Sequence, residues 1–138
     1  MKKSISAREY MSEHPHTVNP ESNVFEAIQL IIEHKLSGLT VTDAENNIVG
    51  VISEVDCLRA ILDGSYYGEV GGTVADYMTA NVQSVTVDMA IIDIAKMMLD
   101  NNRRRMPVSD QGKFIGQFSI RSILNAIIHL EDRAKPLG

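Results

Sequence analysis

The sequence predicts an α+β fold in which two pseudo-symmetric β-α-β-β-α repeats pack sheet to sheet as one module. Duplication is the first observation behind it. Tyr10-Met11-Ser12 returns as Tyr77-Met78-Thr79, and the match runs at one constant spacing through Val18/Val85, Val41/Val108 and Asp43/Asp110. After a single deletion it resumes with Gly50/Gly116, Ser53/Ser119, Leu58/Leu124, Ala60/Ala126 and Ile61/Ile127. A tandem repeat settles the architecture before any one residue is given a role. The second observation is a helical apolar period in each copy, and the third is a pair of short strand-like runs after it. A unit of roughly 55 to 60 residues buries too little surface to be comfortable alone, so the copies are expected to share a core.

Each copy opens with a helix-start signal. Ser6-Ala7-Arg8-Glu9 and Thr73-Val74-Ala75-Asp76 place a hydroxyl three residues before a carboxylate, the capping-box pattern. A turn of helix should follow and end near Met11 and Met78. Pro15 restricts His14 and blocks further helix in the first copy.

A longer helix begins near Asn23 and again near Ala90. Val24, Ala27, Ile28 and Ile31 recur at i, i+3, i+4, i+7, as do Ile91, Ile94, Ala95 and Met98. Asn23 with Glu26, and Asp88, are the expected caps. Strands are then expected over 39–42 and 48–52, and over 106–109 and 114–118. The deletion falls in the turn between them, where a change of length is tolerated. A last helix runs from Glu54 to about Leu62 and from Ile120 to about Leu130. These limits divide the chain into repeat one (6–62), a glycine-rich linker (63–72), repeat two (73–130) and a polar tail (131–138) expected to fray.

Composition excludes several classes. With 138 residues, 44% hydrophobic and 22% charged, the chain reads as globular rather than disordered. A net charge of −5 argues against nucleic-acid binding, which wants a basic face. No apolar run approaches about 18 residues, so no membrane span is expected. Lys2 and Lys3 are followed by no apolar stretch of a secretory signal. Cys57 is the single cysteine, which precludes an internal disulfide and suits a reducing, cytoplasmic setting.

The duplicated unit ends in Gly50-Val51-Ile52-Ser53-Glu54-Val55-Asp56, and the Tyr-Met-Ser/Thr opening and Met106-Pro107-Val108 accompany it. In these features the chain resembles the cystathionine-β-synthase (CBS) domain family. Two copies in tandem resemble a CBS pair, or Bateman module, of the stand-alone bacterial type. The resemblance covers about residues 6 to 130. It implies a regulatory, non-enzymatic module with an adenosyl ligand (AMP, ADP, ATP or S-adenosylmethionine) in the cleft between repeats. It requires no other cofactor, and implies a homodimer and an effector protein as further partner.

Residue chemistry points to the same place. Ser53 closes a strand and opens a helix, whose N-terminal N–H groups attract phosphate. Asp56, one turn in, is a carboxylate able to accept both hydroxyls of a ribose. The same Ser-x-x-Asp is also near a capping box, which would stabilise the helix with no ligand at all. Ser122 stands where Asp56 does, so the second site is expected to be degenerate, with Thr17, Ser119 and Ser122 as its remnants. Arg103-Arg104-Arg105 reads by default as a solvated loop. The resemblance instead assigns Arg104 and Arg105 to phosphate, where the first copy has neutral Ser37 and Gly38, and arginine's fork suits that role. It also implies Ser84, Val85 and Thr86 beside the adenine, with Ser37, Gly38 and Leu39 opposite. Arg121 could reach the same cleft or lie on the surface.

The remaining candidates are weak. His14-Pro15-His16 lacks a third metal ligand nearby and reads as loop. Cys57 and the seven methionines read as core filling. Nothing matches a Ser-His-Asp set or a Walker loop. A ligand-free interaction or dimerisation module is the alternative function, favoured by Ser122 and by the neutral Ser37-Gly38. A small enzyme has no catalytic constellation behind it.

Overall fold

The computed structural model describes residues 7–12, 16–67, 71–80 and 82–134. The first copy contributes α1 (Ala7–Tyr10), β1 (Thr17–Val18), α2 (Val24–Glu33), β2 (Gly38–Thr42), β3 (Ile48–Ser53) and α3 (Glu54–Tyr67). The second contributes α4 (Val74–Tyr77), β4 (Thr79–Ala80), β5 (Val85–Thr86), α5 (Ile91–Asp100), β6 (Arg105–Asp110), β7 (Lys113–Ser119) and α6 (Ile120–Ala134). Apart from β4, each element of one copy has its counterpart in the other.

The helices form where the apolar period demands. Val24, Ala27 and Ile31 are the buried face of α2, and Ile91, Ile94 and Met98 that of α5. Asn23 caps α2 through its side-chain oxygen, which accepts from Phe25 N at 2.8 Å. Both helices close on a left-handed residue, Lys35 (φ 54°) and Asn102 (φ 53°). The next amide then returns to the helix, Leu36 N to Ile31 O at 2.9 Å and Arg103 N to Met98 O at 2.8 Å.

Several expectations change. Asp88 does not cap α5, because Ala90 is its N-cap and Asp88 accepts from Thr86 Oγ1 at 2.8 Å instead. Helix α3 runs past Leu62 to Tyr67, into the stretch expected as linker, since one glycine at position 64 weakens a helix without ending it. Helix α6 likewise continues to Ala134. The break at His14-Pro15 and the Ser6 end of the first capping box lie outside the described residues. In the second copy the box is present, with Asp76 Oδ2 accepting from Thr73 N at 3.0 Å.

The chain divides into two compact units that do not coincide with the contiguous repeats. Unit I holds His16–Val82 and Gly112–Phe114. Unit II holds the opening segment, Gln83–Gln111 and the chain from Ile115 onward. The unit I sheet has the order β1-β2-β3-β4, with β1 parallel to β2 and the other pairs antiparallel. In unit II the order is β5-β6-β7, with β5 parallel to β6. Ser12 bridges antiparallel to Gln117 of β7, its N–H donating to Gln117 O at 3.0 Å. Thus the second copy's opening segment pairs in unit I, and the first copy's in unit II. The cause is topological: β1 and the slot beside β3 are opposite edges of one sheet, so a copy's opening segment and first strand are not neighbours.

Two glycines make those edge contacts possible. A Cβ on Gly50 would lie 2.7 Å from Thr79 O and 2.8 Å from Met78 Sδ. On Gly116 it would lie 2.7 Å from both Ser12 O and Met11 Sδ. The Tyr-Met-Ser/Thr opening and the strand glycine are therefore two halves of one contact.

In unit I the core joins α2 and α3 to one sheet face through Val24, Ala27, Leu39, Val41, Ile52 and Ala60. Unit II repeats this with Ile94, Met98, Met106, Val108, Phe118 and Ala126. Alternation along β2 turns Gly38, Thr40 and Thr42 to the other face. Thr40 Oγ1 there is buried without a hydrogen-bond partner, as is Gln117 Oε1 of unit II. The β2–β3 turn is tied by Asp43 Oδ1, which accepts from Asn47 N at 2.9 Å and Glu45 N at 2.9 Å. The hydrogen bonds from Asn47, backbone first and then side chain, hold the Asp43 carboxyl below the usual aspartate range.

The glycine contacts give a direct test. Gly50→Ala and Gly116→Ala are each expected to lower stability by about 1–3 kcal/mol, because backbone and not only a flexible side chain must move. Gly71→Ala, with nothing within 4 Å of its Cβ, should be close to neutral. Urea unfolding of the three variants measures this. Equal stability for Gly50→Ala and Gly71→Ala would refute the tight contact.

Candidate functional site

The Ser53–Asp56 segment lies at the junction of β3 and α3. Register pairs Gly38 with Ser53, and Glu54 N donates to Ser37 O at 2.9 Å. Ser37, Gly38, Ser53 and Asp56 are thus brought to one end of the unit I sheet. Gly38 has no room for a side chain, since its Cβ would meet Ile52 O at 2.7 Å. Thr17, expected in the degenerate site, also belongs to unit I, where it is in register with Thr40.

Ser53 and Asp56 form a closed capping box. Ser53 N donates to Asp56 Oδ2 at 2.9 Å, and Asp56 N donates to Ser53 Oγ at 3.1 Å. The other carboxylate oxygen, Oδ1, accepts from Arg59 Nη1 at 3.0 Å. Asp56's side chain is 13% exposed, whereas that of Arg59 is 59% exposed. One carboxylate oxygen is therefore committed to the helix start, and the other to a cation that solvent reaches. Arg59 escaped the sequence reading, although its i, i+3 spacing from Asp56 was the available signal.

Unit II builds the same junction from different chemistry. Ile120 N donates to Arg104 O at 3.2 Å, so Arg104 and Arg105 stand beside Ser119 as Ser37 and Gly38 stand beside Ser53. Ser119 N donates to Ser122 Oγ at 2.8 Å, and Ser122 N to Ser119 Oγ at 3.2 Å. Ser122 thus closes the box that Asp56 closes in unit I. A hydroxyl at the fourth position therefore does the capping that a carboxylate does in unit I. What Ser122 cannot do is offer a second, charged oxygen beyond the one the box uses, as Asp56 does with Oδ1.

The other expected residues fall into place by unit. Ser84, Val85 and Thr86 belong to unit II with Arg104, Arg105, Ser119 and Ser122, and the Asp56 set belongs to unit I. Ser84 Oγ is 3.4 Å from Ser109 Oγ, and Val85 is in register with Val108. Leu39 and Val85 are fully buried in their cores, so they can offer a ligand only backbone groups. Arg104 and Arg121 are exposed and Arg105 is half-buried.

The weak candidates resolve simply. Cys57 is buried in the unit I core, and burial, with Asp56 adjacent, pushes its thiol up to about 11, which leaves it protonated and inert. His16 stacks on His34 with ring centroids 3.6 Å apart, a contact without sequence signal. Among the described residues no three His, Cys, Asp or Glu side chains gather as a metal site.

Cap and charge can be separated by substitution. Asp56→Ala leaves the part-buried Ser53 N–H without its acceptor and is expected to cost about 1–2 kcal/mol. Asp56→Ser, which copies the Ser122 geometry, should be about 1 kcal/mol more stable than Asp56→Ala. Both variants lose the ion pair with Arg59, so that loss cancels between them. Equal stability of the two in chemical denaturation would show that the box contributes nothing.

Comparison with known proteins places this geometry. The family model "CBS domain" matches residues 7–63 and again 74–129. An uncharacterized 17.7 kDa protein of Acidianus ambivalens is 33% identical over 124 residues, covering 88% of this chain and 73% of that protein. The chloroplastic CBS domain-containing protein CBSX2 of Arabidopsis thaliana is 28% identical over 142 residues, and the match spans 60% of its length. An inosine-5'-monophosphate dehydrogenase of Methanocaldococcus jannaschii is 34% identical, but only over 21% of its length. The crystal structure of CBSX2 in complex with AMP superposes with a TM-score of 0.81 at 28% identity, covering 91% of this chain and 98% of that one. A CBS domain pair in complex with 5'-methylthioadenosine and S-adenosylmethionine shares the fold, with a TM-score of 0.81 at 22% identity, covering 92% of this chain and 98% of that one. Both halves carry the family's pattern and the whole has its fold; the chain belongs to the CBS domain family, as a tandem pair.

Proposed function

We propose that this chain is a regulatory module that binds an adenosyl ligand and performs no chemistry on it. Asp56 takes the ribose hydroxyls, Ser53 and the α3 N-terminus face the sugar and phosphate, and Arg104 and Arg105 contact phosphate. The observation that carries the reading is the asymmetry of the two boxes. Both close their helix, but only the first does so with a charged group, whose second oxygen is left over from the cap and turned to an exposed cation. The AMP complex of CBSX2 supports the ligand class. Regulation then follows from differential affinity, since a ligand shifts a conformational equilibrium only as far as it binds one state better.

A second reading, a module that acts by protein association without ligand, is favoured by a different observation. Val55, Leu58 and Leu62 on α3 are large, apolar and exposed, as are Leu124 and Ile128 on α6. Such patches mark association surfaces, and a second copy of the chain is the partner that the family resemblance implies. No helix among the described residues is long and apolar enough to cross a membrane.

Titration calorimetry with AMP, ADP, ATP and S-adenosylmethionine separates the readings. Saturable binding of at least one compound is expected. Asp56→Ser should weaken it at least about tenfold, the loss of one or more charge-assisted hydrogen bonds, while keeping the fold. Arg104→Ala with Arg105→Ala should weaken nucleotides more than S-adenosylmethionine. No heat at millimolar ligand, with sedimentation at the mass of two chains, would sink the ligand reading in favour of association.

A further inference from the structure

We infer that Arg59 is an internal competitor for the Asp56 carboxylate and thereby selects adenosyl ligands that carry phosphate. The inference rests on the adenosyl reading above and adds to it a residue outside the Ser-x-x-Asp pattern. Asp56 Oδ2 is held by Ser53 N inside the box, so Oδ1 is the oxygen that can be exchanged. Arg59 Nη1 occupies Oδ1 at 3.0 Å. A ribose hydroxyl that takes Oδ1 must displace the guanidinium. With 59% of its side chain exposed, Arg59 is free to move aside.

What the displaced cation does follows from its place on the helix. Arg59 lies one turn beyond Asp56, and its side chain already runs back toward the N-terminus of α3, the direction helical side chains take. That N-terminus is where an anion is favoured. A ligand that brings phosphate to it offers the freed guanidinium a new bidentate partner. A neutral nucleoside displaces the same cation and returns nothing. A sulfonium ligand sets a positive charge near it. The second copy fits this pairing, because it has Asn125 where the first has Arg59, and Ser122 where the first has Asp56. Competitor and carboxylate are present together or absent together.

The test compares AMP with adenosine on wild type, Arg59→Gln and Arg59→Lys by calorimetry at low salt. In Arg59→Gln, adenosine should bind as well as or better than in wild type, and AMP worse. The ratio of AMP to adenosine affinity should fall about tenfold, the scale of one charge-assisted contact. Arg59→Lys, which keeps the charge but not the fork, should fall between. Only the arginine of the pair is exposed, and circular dichroism with urea unfolding checks that each variant is folded. A ratio within about twofold of wild type in Arg59→Gln would overturn the role of Arg59. If that result comes with binding that Asp56→Ser removes, the adenosyl reading still stands. If wild type binds neither compound, both fall.

Discussion

Strand β3 is held along its outer edge by a contact at Gly50 that leaves no room for a methyl group. Gly50 lets Met78 and Thr79 of the second copy lie against the strand, and Gly116 does the same for Met11 and Ser12 of the first. Without that closure β3 and β7 would each present an unpaired edge, which a sheet tolerates poorly. With it, the last residue of each strand turns directly into a helix at a defined point. Ser53 and Ser119 stand at those turns. Each box stands three residues beyond such a contact, and its junction is tied to the strand on the other side, through Ser37 O in unit I and Arg104 O in unit II.

Within that frame the two boxes are a natural substitution experiment. Each satisfies an orphan backbone N–H at its helix start, one with a carboxylate and one with a hydroxyl. The hydrogen bond is common to both boxes, and the charge is present in only one. A carboxylate that is mostly shielded from solvent and paired with an exposed arginine is more than a cap needs. The excess is the physical basis for reading unit I as the ligand side. The arginines of unit II are a second asymmetry, located where unit I has a serine and a tight glycine.

Much of the fold was legible because helical and strand periods are local. Val24, Ala27 and Ile31, like Ile91, Ile94 and Met98, are buried as their spacing requires. The exchange of opening segments was not legible, since nothing in Tyr10-Met11-Ser12 says which of two similar edges it will join. Asp88 misled because an aspartate near a helix start has other partners, here the Thr86 hydroxyl. Of the site, Ser53 and Asp56 were legible as a pair. Their closed box showed only in space, as did the commitment of one carboxylate oxygen to it. Leu39 and Val85 look like site residues by position, but strand alternation turns their side chains into the cores. Arg59 was missed because an i, i+3 acid–base pair is so common on helices that it carries no functional signal alone.

Amide chemical-shift mapping during an AMP titration tests the central claim most directly. Saturable shifts are expected, largest at Ser53 through Arg59 and smaller at Ser119 to Ser122. No saturable shift at millimolar AMP, or shifts that leave Ser53 and Asp56 unmoved, would contradict it.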